Sequence, residues 1–254
     1  MSWLLLLSNE VKLQWFDMRQ YWFETVTSLT VMCVMFIGLF LGVKSFLLES
    51  PEGTSLDGLL FGFLLWSYAT TCYMTSTRTV VEDTQKGYLE QLFLCPKGFT
   101  SILFAKALVD VTLGLLYTTI FAYLTMWLTG NWIDINFALF YAALLLGAPS
   151  LIGLGLIVSG LALVFKRVET VGQILTLFLI GLVAIDGLPI GPASLLPFTP
   201  SVSLARGWVL EHSVFSASDI LLVVANSAIY FAIGILVFKK AEKIAKRKNL
   251  IGQY

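Results

Sequence analysis

The middle of the chain reads FALFYAALLLGAPSLIGLGLIVSGLALVF (residues 137–165), and this run contains no Asp, Glu, Lys, Arg or His. A helix needs about 20 mostly apolar residues to cross the roughly 30 Å hydrocarbon layer of a bilayer. A strand of a membrane β-barrel would instead show about ten residues that alternate between apolar and polar. The run therefore predicts a membrane-spanning helix.

The rest of the chain repeats this pattern. Only 13% of its 254 residues are charged, about half the share that is usual in soluble domains, roughly 25%. The predicted spans are residues 26–47, 59–74, 102–128, 137–165, 171–190 and 220–238. The predicted fold class is an all-α membrane protein with six transmembrane helices in a single domain, residues 1–254.

The basic residues are distributed unequally between the two sides of this topology. Of 16 Lys and Arg residues, all but Lys44 and Arg206 fall at the termini, in the loops after the second and fourth predicted spans, or beside those loops. By the positive-inside rule, both termini and these loops are expected in the cytoplasm of a plasma (inner) membrane. The net charge of zero gives no reason to expect a nucleic-acid partner.

Residues 1–25 are predicted to form an amphipathic helix in the membrane interface. Val11, Trp15, Met18 and Trp22 recur at helical spacing with charged residues between them. Tryptophan is enriched at headgroup depth. This elbow helix either only anchors the first span or also touches a cytoplasmic partner.

Sequence signatures of catalysis are missing. The chain has no G-x-x-x-x-G-K-[ST], H-E-x-x-H or G-x-S-x-G motif, and His212 is its one histidine. Its three cysteines show no metal-binding or disulfide spacing. We therefore expect a non-catalytic chain without a cofactor or metal site of its own, and any ATP must be bound by another chain.

A polar segment, RTVVEDTQKGYLEQLFLCPKG (residues 78–98), separates the second and third predicted spans. Leu89, Leu92 and Phe93 have the i, i+3, i+4 spacing of one helical face, and Pro96 ends the pattern. The periodicity is that of a short amphipathic helix. Such a helix either docks into a groove of a partner protein or lies on the lipid surface.

Residues 82–106, with GYLEQLFLCP followed by GFTSILFAKAL, resemble the cytoplasmic signature of the type-2 ABC exporter permeases. The six predicted spans, the N-terminal amphipathic helix and the long loop before the last span fit the same family, so the resemblance covers essentially the whole chain. Tyr88 departs from the pattern, because many members have a small polar residue there.

The resemblance implies a coupling helix that docks on a separate ABC-type ATPase subunit. Its residues would be Gly87, Leu89, Glu90, Leu92 and Phe93, with Glu90 as the acidic residue of the motif. It further implies two ATPase copies that bind ATP and Mg, a second permease copy or paralogue, and outward transport. A secondary transporter or a membrane-embedded assembly subunit without an ATPase is the alternative.

The proline-rich segment, residues 187–219, precedes the last predicted span. Pro189, Pro192, Pro197 and Pro200 are too close together for a continuous helix. The resemblance implies short re-entrant helices that line the exit of the pathway, and the apolar residues between the prolines favour this over an ordinary external loop. Irregular backbone at membrane depth requires shelter by protein or a cavity.

Three charged features remain open to more than one interpretation. Asp110 lies four residues after Lys106 in the third predicted span, which favours an ion pair on one helix face over a substrate role. Asp186 either caps a re-entrant turn or meets Arg206, and a proton-relay role would lack partners. The basic tail, residues 239–254, is expected to keep the C-terminus on the cytoplasmic side and to contact anionic lipid. The alternative is a contact with the ATPase.

Overall fold

The computed structural model describes residues 3–46, 53–85, 99–130, 132–165 and 168–247, and all regular structure in these ranges is helical. The α-helices are α1 (Trp3–Gln20), α2 (Trp22–Phe46), α3 (Gly53–Gln85), α4 (Phe99–Thr129), α5 (Phe137–Phe165), α6 (Glu169–Ala184), α7 (Thr199–Val209) and α8 (Ala217–Arg247). A 3-10 helix, Pro192–Leu195, lies between α6 and α7. The predicted all-helical class is confirmed.

Four helices in the described ranges are long and apolar enough to cross a membrane. They are Trp22–Val43, Ser101–Thr129, Phe137–Phe165 and Ala217–Arg247, which correspond to the first, third, fourth and sixth predicted spans. The first of these helices begins several residues before its predicted start, since α1 and α2 are interrupted only at Tyr21.

The other two predicted spans lie in α3 and α6, and the count of six stays a prediction. α3 has 33 residues, but its many Ser and Thr side chains make it less apolar than the four helices above. α6 has 16 residues and ends at Ala184, six residues before the predicted end of that span. The backbone then turns because the proline-rich segment folds back against the bundle.

α5 lies at the centre of the packing. It contacts α8 most extensively and also packs against α3 and α7, while α3 packs against α4 and α6. At the crossing of α5 and α8 the two backbones touch: a Cβ on Gly153 would lie 2.4 Å from the carbonyl oxygen of Tyr230, and one on Gly234 would lie 2.4 Å from that of Gly153. Glycine at both positions therefore allows backbone-to-backbone contact between α5 and α8.

The outward helix faces are apolar. Val34 and Leu39 of α2 and Ile174 and Leu177 of α6 are largely exposed. Large apolar side chains on the outside of a helical bundle are expected where the surrounding solvent is lipid. Together with the apolar spans, this surface identifies a multi-pass membrane protein.

Candidate functional site

The predicted coupling residues, Gly87, Leu89, Glu90, Leu92 and Phe93, lie outside the described residues. The helices that lead into and out of this segment are described. Phe99, the first residue of α4, packs on Phe238 of α8 with ring centroids 5.9 Å apart. α4 therefore begins beside Phe238 of α8, directly before the basic residues from Lys239 onward.

The middle of the proline-rich segment, residues 197–209, folds into the bundle. Nine of the eleven residues of α7 are buried, and α7 packs against α5 and α8. Pro192 begins the 3-10 helix and Pro200 lies in the first turn of α7, positions that tolerate the missing N–H of proline. Pro197 and Pro200 are buried, whereas Pro189 and Pro192 are exposed.

Two side chains of α8 bind three consecutive carbonyls of this segment. Asn226 Nδ2 donates to the carbonyl oxygens of Ser194 (3.0 Å) and Leu196 (3.1 Å). The hydroxyl of Tyr230 donates to the carbonyl oxygen of Leu195 (2.7 Å). We call this arrangement the carbonyl clamp. It supplies the partners that irregular backbone needs when water is excluded.

α7 is fixed on α5 by a close contact and a hydrogen bond. Ser201 Oγ donates to the carbonyl oxygen of Ala143 at 2.5 Å. Gly147 leaves room for this approach, since a Cβ there would lie 2.3 Å from Ser201 Oγ. Phe198, which precedes α7, is buried and has a left-handed backbone with φ 66. A bulky residue adopts this conformation only where its surroundings hold it.

An ion pair links α7 to the end of α6. Arg206 Nη1 donates to Asp186 Oδ1 at 2.5 Å, and Arg206 Nη2 donates to the carbonyl oxygen of Val183 at 3.0 Å. This contact with Arg206 is one of the two roles that the sequence left open for Asp186. The Asp186 side chain is 66% exposed, so the pair is partly solvated and its attraction is screened.

Asp110 lies within α4 and is buried. Its Oδ1 accepts a hydrogen bond from Gln14 Nε2 of α1 at 2.8 Å, and its Oδ2 has no partner. The predicted ion pair with Lys106 is not among the contacts of these two described residues. The helical spacing places Lys106 and Asp110 on one face, but docking of α1 supplies a closer partner from outside α4.

Sequence reasoning missed the clamp residues. Asn226 is an amide inside the apolar run 220–238, and buried polar groups in spans signal a specific partner. That signal was visible in the sequence, whereas the identity of the partner carbonyls was not. Among the described residues, no group of three His, Cys, Asp or Glu side chains could hold a metal ion.

The fold, with its apolar spanning helices, defines a polytopic helical membrane protein. The ABC-2 type transporter family matches residues 1–189. The chain therefore belongs to this family, and it is a permease subunit of an ABC transporter. A comparison with curated proteins finds no match. The family match ends before the 3-10 helix, so it does not cover α7 or α8.

Proposed function

We propose that this chain is the transmembrane half of an ATP-driven exporter. Two permease copies, or this chain and a paralogue, enclose the pathway at their interface. Two ABC-type ATPase subunits dock beneath them on the coupling residues and bind the ATP and Mg, so that this chain itself is not an enzyme. The observation that carries the proposal is the family match over residues 1–189, which includes the coupling segment, residues 78–98.

The lengths of α3 and α4 support docking at this segment. At 1.5 Å per residue, 33 and 31 residues give helices of about 50 and 46 Å, against roughly 30 Å of hydrocarbon. Arg78 of α3 pairs with Glu24 at the start of α2 (3.5 Å), and both side chains are well exposed. α3 continues past this polar pair to Gln85, another 10 Å or so.

The described end of α3, at Gln85, therefore lies beyond the polar pair on the side where a peripheral protein would dock. The bias of Lys and Arg toward this side supports a cytoplasmic location for the coupling segment and for both termini, in the plasma membrane. ATP-driven closure of the ATPase pair would then press on the segment and shift the bundle between two access states, a rigid-body switch biased by nucleotide. The outward direction follows the family resemblance.

The proposal is tested by purifying the tagged protein from its native membranes in mild detergent and identifying what co-purifies in stoichiometric amount. We expect an ABC-type ATPase with the wild type. A variant that combines Leu92→Asp and Phe93→Asp should lose this ATPase, because charged groups cannot enter an apolar docking groove. Leu92→Met with Phe93→Tyr is the matched control and should retain it.

Membrane insertion is monitored in each variant by yield and by tryptophan fluorescence. Glu90→Lys should weaken ATPase association more than it lowers yield, because the residue is expected at a polar rim. Absence of any ATPase across several detergents would refute the proposal and favour a transporter or assembly subunit that works without one. Full association of the doubly charged variant would refute docking at residues 87–93.

A further inference from the structure

The basic end of α8 is held against the bundle along one face. α8 continues past Phe238 to Arg247, a further 13 Å or so. Phe238 packs on Phe99, and Ala241 and Ala245 are buried as well. A Cβ on Gly160 of α5 would lie 3.1 Å from the Cβ of Ala241. This packing orients the last turns of α8, so that their charged side chains point away from the bundle.

These charged side chains form an open groove of about 540 Å³, which we call the basic groove. It is lined by Lys239, Glu242, Lys243, Lys246 and Arg247. Lys246 Nζ donates to Glu242 Oε1 at 2.6 Å, so the carboxylate of the groove is already paired. No ion pair joins Lys239, Lys243 or Arg247 to another described residue. Four basic groups and one acid leave the groove with three net positive charges.

The helix face that leads to the basic groove is apolar at membrane depth. Ile229, Leu236 and Lys243 are each seven residues apart, a spacing that drifts by only about 20° per step around a helix, and Arg247 follows Lys243 by one turn. Ile229 and Leu236 are 57% and 61% exposed, within a helix that is apolar enough to cross a membrane. One face of α8 therefore carries exposed apolar side chains and then cations. A phospholipid has the same order of chemistry, with acyl chains followed by a phosphate.

The basic groove begins at the depth of the lipid phosphates. The polar layer of one leaflet is roughly 5–8 Å thick, and Phe238 ends the predicted span. Lys239 and Lys243 lie about 2 and 8 Å past Phe238 along the helix, which places them in that layer. Arg247 lies further out, and its long side chain can extend back toward the layer. The three cations without an ion pair can therefore bind the same headgroup.

We propose that the basic groove is a binding site for one anionic phospholipid of the adjacent leaflet. Lys239, Lys243 and Arg247 bind its phosphate. An acyl chain lies along Ile229 and Leu236. An ATPase surface, the other partner that the sequence left open for the basic tail, would match the charge of the groove but would not contact these two side chains in the hydrocarbon. The site is independent of the proposed function, because it requires neither an ATPase nor the coupling segment.

The test titrates phosphatidylglycerol into the purified permease in mild detergent and counts the bound lipids by native mass spectrometry. Phosphatidylcholine with the same acyl chains is the matched lipid without net charge, and glycerol phosphate is the soluble competitor. Lys243→Gln combined with Arg247→Gln removes two cations of the groove. Lys12→Gln combined with Arg19→Gln removes two exposed cations of α1 and is the matched control. Lys243→Arg keeps the charge.

We expect the wild type to bind one phosphatidylglycerol molecule in preference to phosphatidylcholine. Glycerol phosphate should not displace it, because the site also holds the acyl chain. The double variant of the groove should weaken binding about 25-fold, since each basic residue near a membrane surface accounts for about a fivefold change. The double variant of α1 should bind as the wild type does, because its cations lie on another helix and do not line the groove. Lys243→Arg should also bind normally.

An equal loss in both double variants would overturn the proposal, because the basic surface would then attract anionic lipid without a discrete site. Displacement by glycerol phosphate would show that the groove binds a soluble phosphate instead of a lipid. Undiminished lipid binding by the groove variant would also refute the site, and simultaneous loss of a co-purified ATPase would assign the groove to that partner. If no ATPase co-purifies with the wild type, the proposed function fails separately, because the lipids are counted on the permease alone.

Discussion

Gly153→Ala tests the backbone contact between α5 and α8 most directly. The added methyl group would lie 2.4 Å from the carbonyl oxygen of Tyr230 and 2.9 Å from the amide nitrogen of Phe231. These are backbone atoms that cannot rotate away, so the helices must separate. Overpacking a close-packed interior lowers the free energy of unfolding by about 1–3 kcal/mol. At Gly153 we expect a loss near the upper end of this range, because no flexible side chain there can give way.

The helix propensity of alanine works in the opposite direction. Replacing glycine by alanine inside a helix gains about 1 kcal/mol, which leaves a net loss near 2 kcal/mol at Gly153. On the scale of globular chains of similar size, this lowers the unfolding midpoint by about 4–8 °C. Gly181→Ala is the matched control, because a Cβ there meets nothing within 4 Å, and it should raise the midpoint by about 2–4 °C.

The assay is thermal unfolding in mild detergent, followed by tryptophan fluorescence. Gly234→Ala should cost about as much as Gly153→Ala, since the contact is reciprocal. The double variant should cost less than the sum, because one separation of the helices relieves both clashes. Equal stabilisation by Gly153→Ala and Gly181→Ala would refute the close crossing, and strict additivity would refute a shared one.

The same assay checks two polar contacts. Gln14→Leu removes the hydrogen-bond donor of the buried Asp110 carboxyl group and should cost about 1–3 kcal/mol, more than Lys106→Gln; the reverse order would favour the ion pair predicted from the sequence. Arg206→Lys loses the guanidinium geometry that binds both Asp186 and the carbonyl of residue 183, and it should lower the free energy of unfolding by about 1 kcal/mol. Asp186→Asn should cost less, because the site is exposed and asparagine keeps an acceptor oxygen. An equal loss in both would contradict the structure.

Composition predicted the helices whose sequences are apolar from end to end. The run 137–165 coincides with α5 because nothing charged interrupts it. The end of α6 could not be read in the same way: residues 187–190 are still apolar, and the helix ends where the backbone of Gly187 meets the start of α7, with a Cβ there only 2.7 Å from Pro200 N. Gly187 and Pro189 are local stop signals that the predicted span ran past, whereas the contact with α7 is tertiary and has no local sequence pattern.

The hydrogen-bond partners of buried polar side chains could likewise be predicted only in part. Spacing along one helix suggested Lys106 for Asp110, but the observed donor, Gln14, is 96 residues away. Asn226 stood out as an amide in an apolar run, yet its acceptors lie 30 and 32 residues earlier in a loop whose path no periodicity predicts. Sequence indicates that a buried polar group needs a partner, and only the folded chain supplies its identity.

The carbonyl clamp also sets an order of events during synthesis. The ribosome completes residues 194–196 before Asn226 exists, and at roughly 5–20 residues per second some seconds pass before α8 leaves the translocon. Until then the backbone carbonyls of Ser194, Leu195 and Leu196 lack the donors they have in the finished protein. Until α8 is in place, the proline-rich segment therefore depends on water or on other polar groups to bind these carbonyls.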